Sequence, residues 1–177
     1  MTHRLDRENI FNFFKAESFI AEINEDNIII KESRESATLK KLIITSLDKS
    51  SKYWLVDTES NAFQLQGKKV ENIILEQTTD DILNIIMVEL KSGRVRDSEV
   101  QNKFKNSLAF VYILLHLLRG KDNQKINVFG ILVAQVEKNW NEKHKLNILS
   151  STSIRYMRKS FFTEDSKFSI SFNELIR

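Results

Sequence analysis

The residues of this sequence best suited to chemistry stand in one run, Ile85-Ile86-Met87-Val88-Glu89-Leu90-Lys91-Ser92-Gly93. It sets a carboxylate and an ammonium two residues apart at the end of an apolar strand. Side chains on a strand alternate between faces, so Glu89 and Lys91 share one. A strand with Ile and Val on both faces belongs inside a sheet, where charge is costly unless it is paired or bound to a metal. Hairpin register supplies a second acid. Segments 70–76 and 84–91 read as strands joined by a turn near Asp80. Paired residue numbers in an antiparallel hairpin sum to a constant, here about 160, which places Glu71 opposite Glu89. Two carboxylates facing each other across about 5 Å repel unless a cation lies between them. Such oxygen donors suit Mg²⁺ or Mn²⁺, with water completing the shell. Asp80 and Asp81 fall in the turn beyond Asn84, which already stands five residues and roughly 17 Å from Glu89 at strand rise, so they are poor ligand candidates.

The elements that must position these groups follow from periodicity. Residues 7–23 space Ile10, Phe13, Phe14, Phe19 and Ile20 as one face of a helix. Segments 27–31 and 39–47 read as strands, and 52–57 and 62–65 as the continuation of a meander. Asp97 or Ser98 caps a long helix running to about Arg119, with Val100, Phe104, Leu108, Val111, Leu115 and Leu118 recurring on its inner face. Gly120 stands where a C-terminal cap is expected. Strands are expected at 126–136 and 146–149, a polar, partly helical stretch at 137–145, a last helix at 153–162, and an edge strand at 167–172. Helix, strands, helix and strand in that order predict one α/β domain over residues 1–177.

Composition narrows the chemistry. The 177 residues contain no cysteine, which excludes zinc fingers, iron–sulfur clusters, thiol nucleophiles and disulfides. Four glycines and no proline leave no glycine-rich phosphate loop of the Walker or dinucleotide type. The N-terminal ten residues lack the apolar stretch of a secretory signal. The most apolar segment, 107–118, is too short to span a bilayer. A soluble, cytoplasmic protein without a membrane partner is the expectation. The net charge of +3 permits nucleic-acid binding without requiring it. His3, His116 and His144 read as terminal, core and surface residues respectively.

An acid on one strand, Glu-x-Lys on the next and then a long helix resembles the PD-(D/E)xK nuclease superfamily over residues 70–135. The resemblance implies a restriction-endonuclease-like core, a mixed central sheet flanked by helices. It makes Glu71 and Glu89 ligands of Mg²⁺ or Mn²⁺, with the backbone carbonyl of Leu90 as a third. Lys91 would orient the attacking water or stabilise charge growing on the phosphate. Gln101, ten residues after Lys91, is similar to the helical glutamine of the RecB-like branch, and Glu17 is the best-placed match for that branch's N-terminal glutamate. Two positions depart from the pattern: the first acid is Glu in place of Asp, and Lys105 stands where the branch carries an aromatic.

The implied activity is hydrolysis of phosphodiester bonds, DNA before RNA, in restriction, defence or repair. With no separate recognition domain in the sequence, targeting would come from a homodimer or a partner protein. Arg94 and Arg96, and the cluster Arg155, Arg158 and Lys159, either track a phosphate backbone or form ordinary solvated surface. Two other readings stand beside this one. The first is a catalytically inactive module of the same fold that binds protein or nucleic acid. The second is an unrelated α/β protein in which Glu89 and Lys91 are a surface pair and Glu71 lies far away.

Overall fold

A computed structural model describes residues 20–32, 35–37, 39–58, 67–80, 82–91, 97–118, 125–134, 146–149, 152–154, 156–160 and 166–176. A six-stranded sheet runs in the order β1 (Ile20–Ile23), β4 (Lys52–Asp57), β5 (Asn72–Gln77), β6 (Ile82–Lys91), β7 (Lys125–Ala134) and β10 (Tyr156–Ser160). A three-stranded sheet orders β11 (Lys167–Ser171), β3 (Lys41–Thr45) and β2 (Ile28–Lys31). Strands β8 (Leu146–Leu149) and β9 (Thr152–Ile154) pair with each other, helix α1 spans Asp97–Leu118, and a single turn, α2, spans Phe172–Leu175.

The large sheet is mixed. Strands β1, β4, β5 and β6 pair antiparallel, while β6–β7 and β7–β10 are parallel. A tight turn joins β5 to β6, closed where Thr78 N donates to Ile82 O at 3.0 Å and Ile82 N to Thr78 Oγ1 at 3.2 Å. Parallel neighbours require a crossover, and α1 is the helix in the β6–β7 connection.

Both faces of β6 are covered, which is why it is apolar almost throughout. On one face Ile86, Val88 and Leu90 join Ile74, Ile131 and Val133 against Ile28, Ile30, Leu42 and Ile44 of the small sheet. The other face, carrying Ile85, Met87 and Glu89, meets α1, whose Val100, Phe104, Leu108 and Val111 are buried.

Among the described residues α1 covers one face of the mixed sheet, and the small sheet with the one-turn α2 covers the other. Three local expectations differ from the structure. Residues 20–23 are a strand and not the end of a helix, because they add to β4 as an edge. Within the expected helix 153–162, residues 153–154 and 156–160 are strand residues. The stretch 156–160 pairs parallel with β7, whose edge would otherwise be open, and this pairing overrides a weak local preference. Nor does 39–47 begin the meander: β3 lies between β2 and β11, and the chain passes to β4 through Ser46, which adopts φ 59°. Segments 7–19, 62–65, 120 and 137–145 lie outside the described residues. No helix among those described is long and apolar enough to cross a membrane.

A polar row crosses the large sheet beneath the small one. Tyr53 Oη donates to Glu76 Oε1 at 2.7 Å, Asn84 Nδ2 to Glu76 Oε2 at 2.6 Å, and Asn127 Nδ2 to Asn84 Oδ1 at 2.9 Å. The Tyr53 ring also meets Phe172 edge to face at 5.2 Å. Burial first, and the Glu76 carboxylate second, push the Tyr53 hydroxyl well above the ordinary phenol range. The folded value thus exceeds the unfolded value of about 10, so stability is lost as pH climbs past that value. The urea midpoint of the wild type should fall more steeply between about pH 9 and 11 than that of Tyr53→Phe. Parallel pH slopes would contradict this account.

Candidate functional site

The β5–β6 register runs from Asn72↔Val88 to Gln77↔Leu83, and every pair sums to 160. Glu71 stands one step beyond the last pair, at the position facing Glu89. It is buried, at the bend that opens β5. Its carbonyl accepts from Thr58 N at 3.3 Å and from Thr58 Oγ1 at 3.1 Å, so β4 holds the backbone in line. The same hydroxyl also contacts Val70 O.

From the other side, α1 fixes the approach to Glu71. Val70 N donates to Ser107 Oγ at 2.8 Å, and that hydroxyl donates to Lys103 O at 2.8 Å. From the adjacent position on the helix, Asn106 Nδ2 donates to Lys68 O at 2.9 Å. Gly67, with φ 101°, makes this approach possible, since a Cβ there would fall 2.9 Å from Asn106 Nδ2.

Glu89 anchors a chain of alternating charges. Its Oε1 takes Lys103 Nζ at 2.5 Å and Lys91 Nζ at 3.5 Å. Lys91 Nζ also reaches Glu99 Oε1 at 3.6 Å, and Lys68 Nζ reaches that same oxygen at 3.5 Å. Side-chain exposure climbs along this path, from 0% at Glu89 and 7% at Lys103 through 14% at Lys91 and 34% at Glu99 to 73% at Lys68. Burial pushes the Glu89 carboxyl above the usual carboxylate range, against the pull of Lys103 and then Lys91. Glu99 is held below that range by Lys91 and then Lys68. Glu89 and Lys91 are therefore not a surface pair.

The remaining candidates are placed unevenly. Leu90 buries its side chain on the opposite face of β6, so its backbone carbonyl is what it can offer a ligand. Gln101 is half-buried on α1, but the side chain that α1 sends to Glu89 is Lys103, two residues on. On β10, Arg158 aligns with Leu132, which aligns with Glu89, and Lys159 aligns with Val133. Glu17, Arg94, Arg96 and Arg155 lie outside the described residues.

Lys103, Glu99 and Lys68 are absent from the sequence-based candidates. Lys103 had a signal: with Ser107, it falls at inward positions of the stripe formed by Val100, Phe104, Leu108 and Val111. A polar residue at such a position needs a partner.

Oxygen donors from Glu71, Glu89 and the Leu90 backbone suit a hard divalent cation. Glu89 Oε2 is buried and lacks a hydrogen-bond partner among the described residues, so it can accept a further ligand. No group of three or more His, Cys, Asp or Glu side chains that could hold a metal gathers among those residues. The chain matches no family model, no curated protein and no solved structure.

Proposed function

We propose that this chain is a metal-dependent nuclease that hydrolyses phosphodiester bonds, with DNA favoured over RNA, on a restriction-endonuclease-like core. The observation that carries the reading is the register that aligns Glu71 with Glu89, with the Lys91 ammonium 3.5 Å from Glu89 Oε1. The antiparallel β4–β5–β6 meander, followed by α1 and a parallel β7, supports it by delivering the acids and the lysine to one end of the sheet. Glu71, Glu89 and the Leu90 carbonyl would hold Mg²⁺ or Mn²⁺, which when bound supplies an acidified water and neutralises phosphate charge. Lys91 brings a positive charge to the rim, between buried Glu89 and half-exposed Glu99, where a phosphate oxygen can meet it. Gln101 and Glu17 remain candidates for orienting groups, and Arg94, Arg96, Arg155, Arg158 and Lys159 for holding the nucleic-acid backbone. Targeting by a homodimer or a partner protein, in a cytoplasmic restriction, defence or repair setting, completes the proposal.

A second reading, an inactive module of the same fold that binds protein or nucleic acid, is favoured by one contact. Lys103 gives Glu89 a resident counter-charge, so the acid does not need a metal to be neutralised. The two readings part on one assay. The protein is incubated with labelled single- and double-stranded DNA and RNA in Mn²⁺ or Mg²⁺, with and without EDTA. The nuclease reading expects cleavage that EDTA abolishes. Intact substrates, with no metal-induced rise in Tm, would establish the inactive module.

A further inference from the structure

We infer that Lys103 is a positioning residue that occupies Glu89 as a resident cation and so sets how tightly the site holds a divalent ion. The inference rests on the metal-dependent reading and concerns what a metal must displace. Lys103 Nζ lies 2.5 Å from Glu89 Oε1, closer than Lys91 at 3.5 Å. The two lysines differ in their alternatives. Lys91 is shared with Glu99 at 3.6 Å and can shift outward along the charge chain. For Lys103, Glu89 is the one carboxylate within ion-pair distance among the described residues, and the side chain is almost wholly covered.

Its helix is also fixed in place. Lys103 O accepts from Ser107 Oγ, and Ser107 in turn holds Val70 N, next to Glu71. The Lys103 ammonium is therefore delivered to Glu89 from a helical turn that is itself hydrogen-bonded to the backbone beside the other acid. A divalent ion between Glu71 and Glu89 would meet that fixed positive charge at short range, where little water screens it. The free oxygen, Glu89 Oε2, gives the ion a first foothold. Full coordination requires Lys103 to leave Oε1, and a phosphate arriving with the metal offers its ammonium a new partner. Metal and nucleic acid then bind together more tightly than either binds alone.

The test is a calorimetric titration of Mn²⁺ into wild type, Lys103→Met, Lys103→Arg and Lys49→Met, after circular dichroism shows each to be folded. Lys49 is an exposed residue paired with Asp26 and removes the same net charge elsewhere on the molecule. Lys103→Met is expected to lower the Mn²⁺ Kd at least ~tenfold, with Lys103→Arg and Lys49→Met within about twofold of wild type. If Lys103→Met does not fold, Lys103→Gln, which keeps a neutral donor, carries the same expectation. Equal affinity in wild type and the neutral variants overturns the inference and leaves the metal-dependent reading standing. Tight binding by Lys103→Arg overturns it as well, since charge would not be the cause. No Mn²⁺ binding by any variant overturns the inference and the metal-dependent reading together.

Discussion

Lys91→Ala is expected, on the proposed nuclease reading, to lower the turnover of nucleic-acid cleavage by about a hundred- to a thousandfold, with KM little changed. The size follows from where the ammonium stands. It lies between a buried acid and a half-exposed one, with little water to screen it. On that reading, charge placed there would act on the phosphate chiefly as negative charge accumulates in the transition state, so its loss would fall on kcat. Folding should be affected far less, because Glu89 keeps Lys103 and Glu99 keeps Lys68. Lys91→Arg, which keeps the charge but changes the fork, should recover part of the rate. Steady-state kinetics beside a thermal melt decides the matter: a variant that melts as wild type and cleaves at the wild-type rate removes Lys91 from the chemistry.

The largest effect on stability is expected at Glu89. Glu89→Leu leaves the Lys103 ammonium buried without its carboxylate, which costs about 3–5 kcal/mol of folding free energy for a pair broken on one side. Adding Lys103→Leu should restore most of that loss. Two apolar side chains of similar volume remove the unpaired charge, and buried ion pairs are often replaced this way at little net cost. The double variant should be folded and, on the nuclease reading, unable to cleave, which separates the pair's contribution to folding from the proposed chemistry. Urea unfolding of the two single variants and the double variant measures the coupling. A single variant within about 1 kcal/mol of wild type, or a double variant no better than Glu89→Leu, would show that the contact carries no such energy.

The contrast between Glu71 and Lys103 shows what local patterns can reveal. The alignment of Glu71 with Glu89 was legible because one turn position determines every pair in a hairpin, and the β5–β6 turn lies where the sequence puts it. Strand β4 and helix α1 were legible for the same reason: their periods are local. Lys103 was not recognised, although it falls within the apolar stripe. A lysine stem can lie along a core while its ammonium reaches water, so sequence alone cannot separate a buried lysine from a solvated one. Burial is decided by how closely α1 seats on Glu89, a tertiary distance. The small sheet was hidden differently, since β11 pairs with β3 from the far end of the chain. Residues 156–160 carried too weak a local preference to announce the strand that β7 imposes on them.

The parallel pairing of β6 with β7 also implies an order of assembly. The β4–β5–β6 hairpins close over short separations in sequence, whereas β7 must return after the whole of α1 has been laid down. The facing positions of Glu71 and Glu89 are thus set by the quickly formed part of the chain. Glu89 has Lys91 on its own strand at 3.5 Å, but its closer partner, Lys103 at 2.5 Å, arrives only with the helix. Seating α1 and closing the Glu89–Lys103 pair become a single event, which is expected on the far side of the folding barrier. A chain without Lys103 should fold at nearly the wild-type rate and come apart faster.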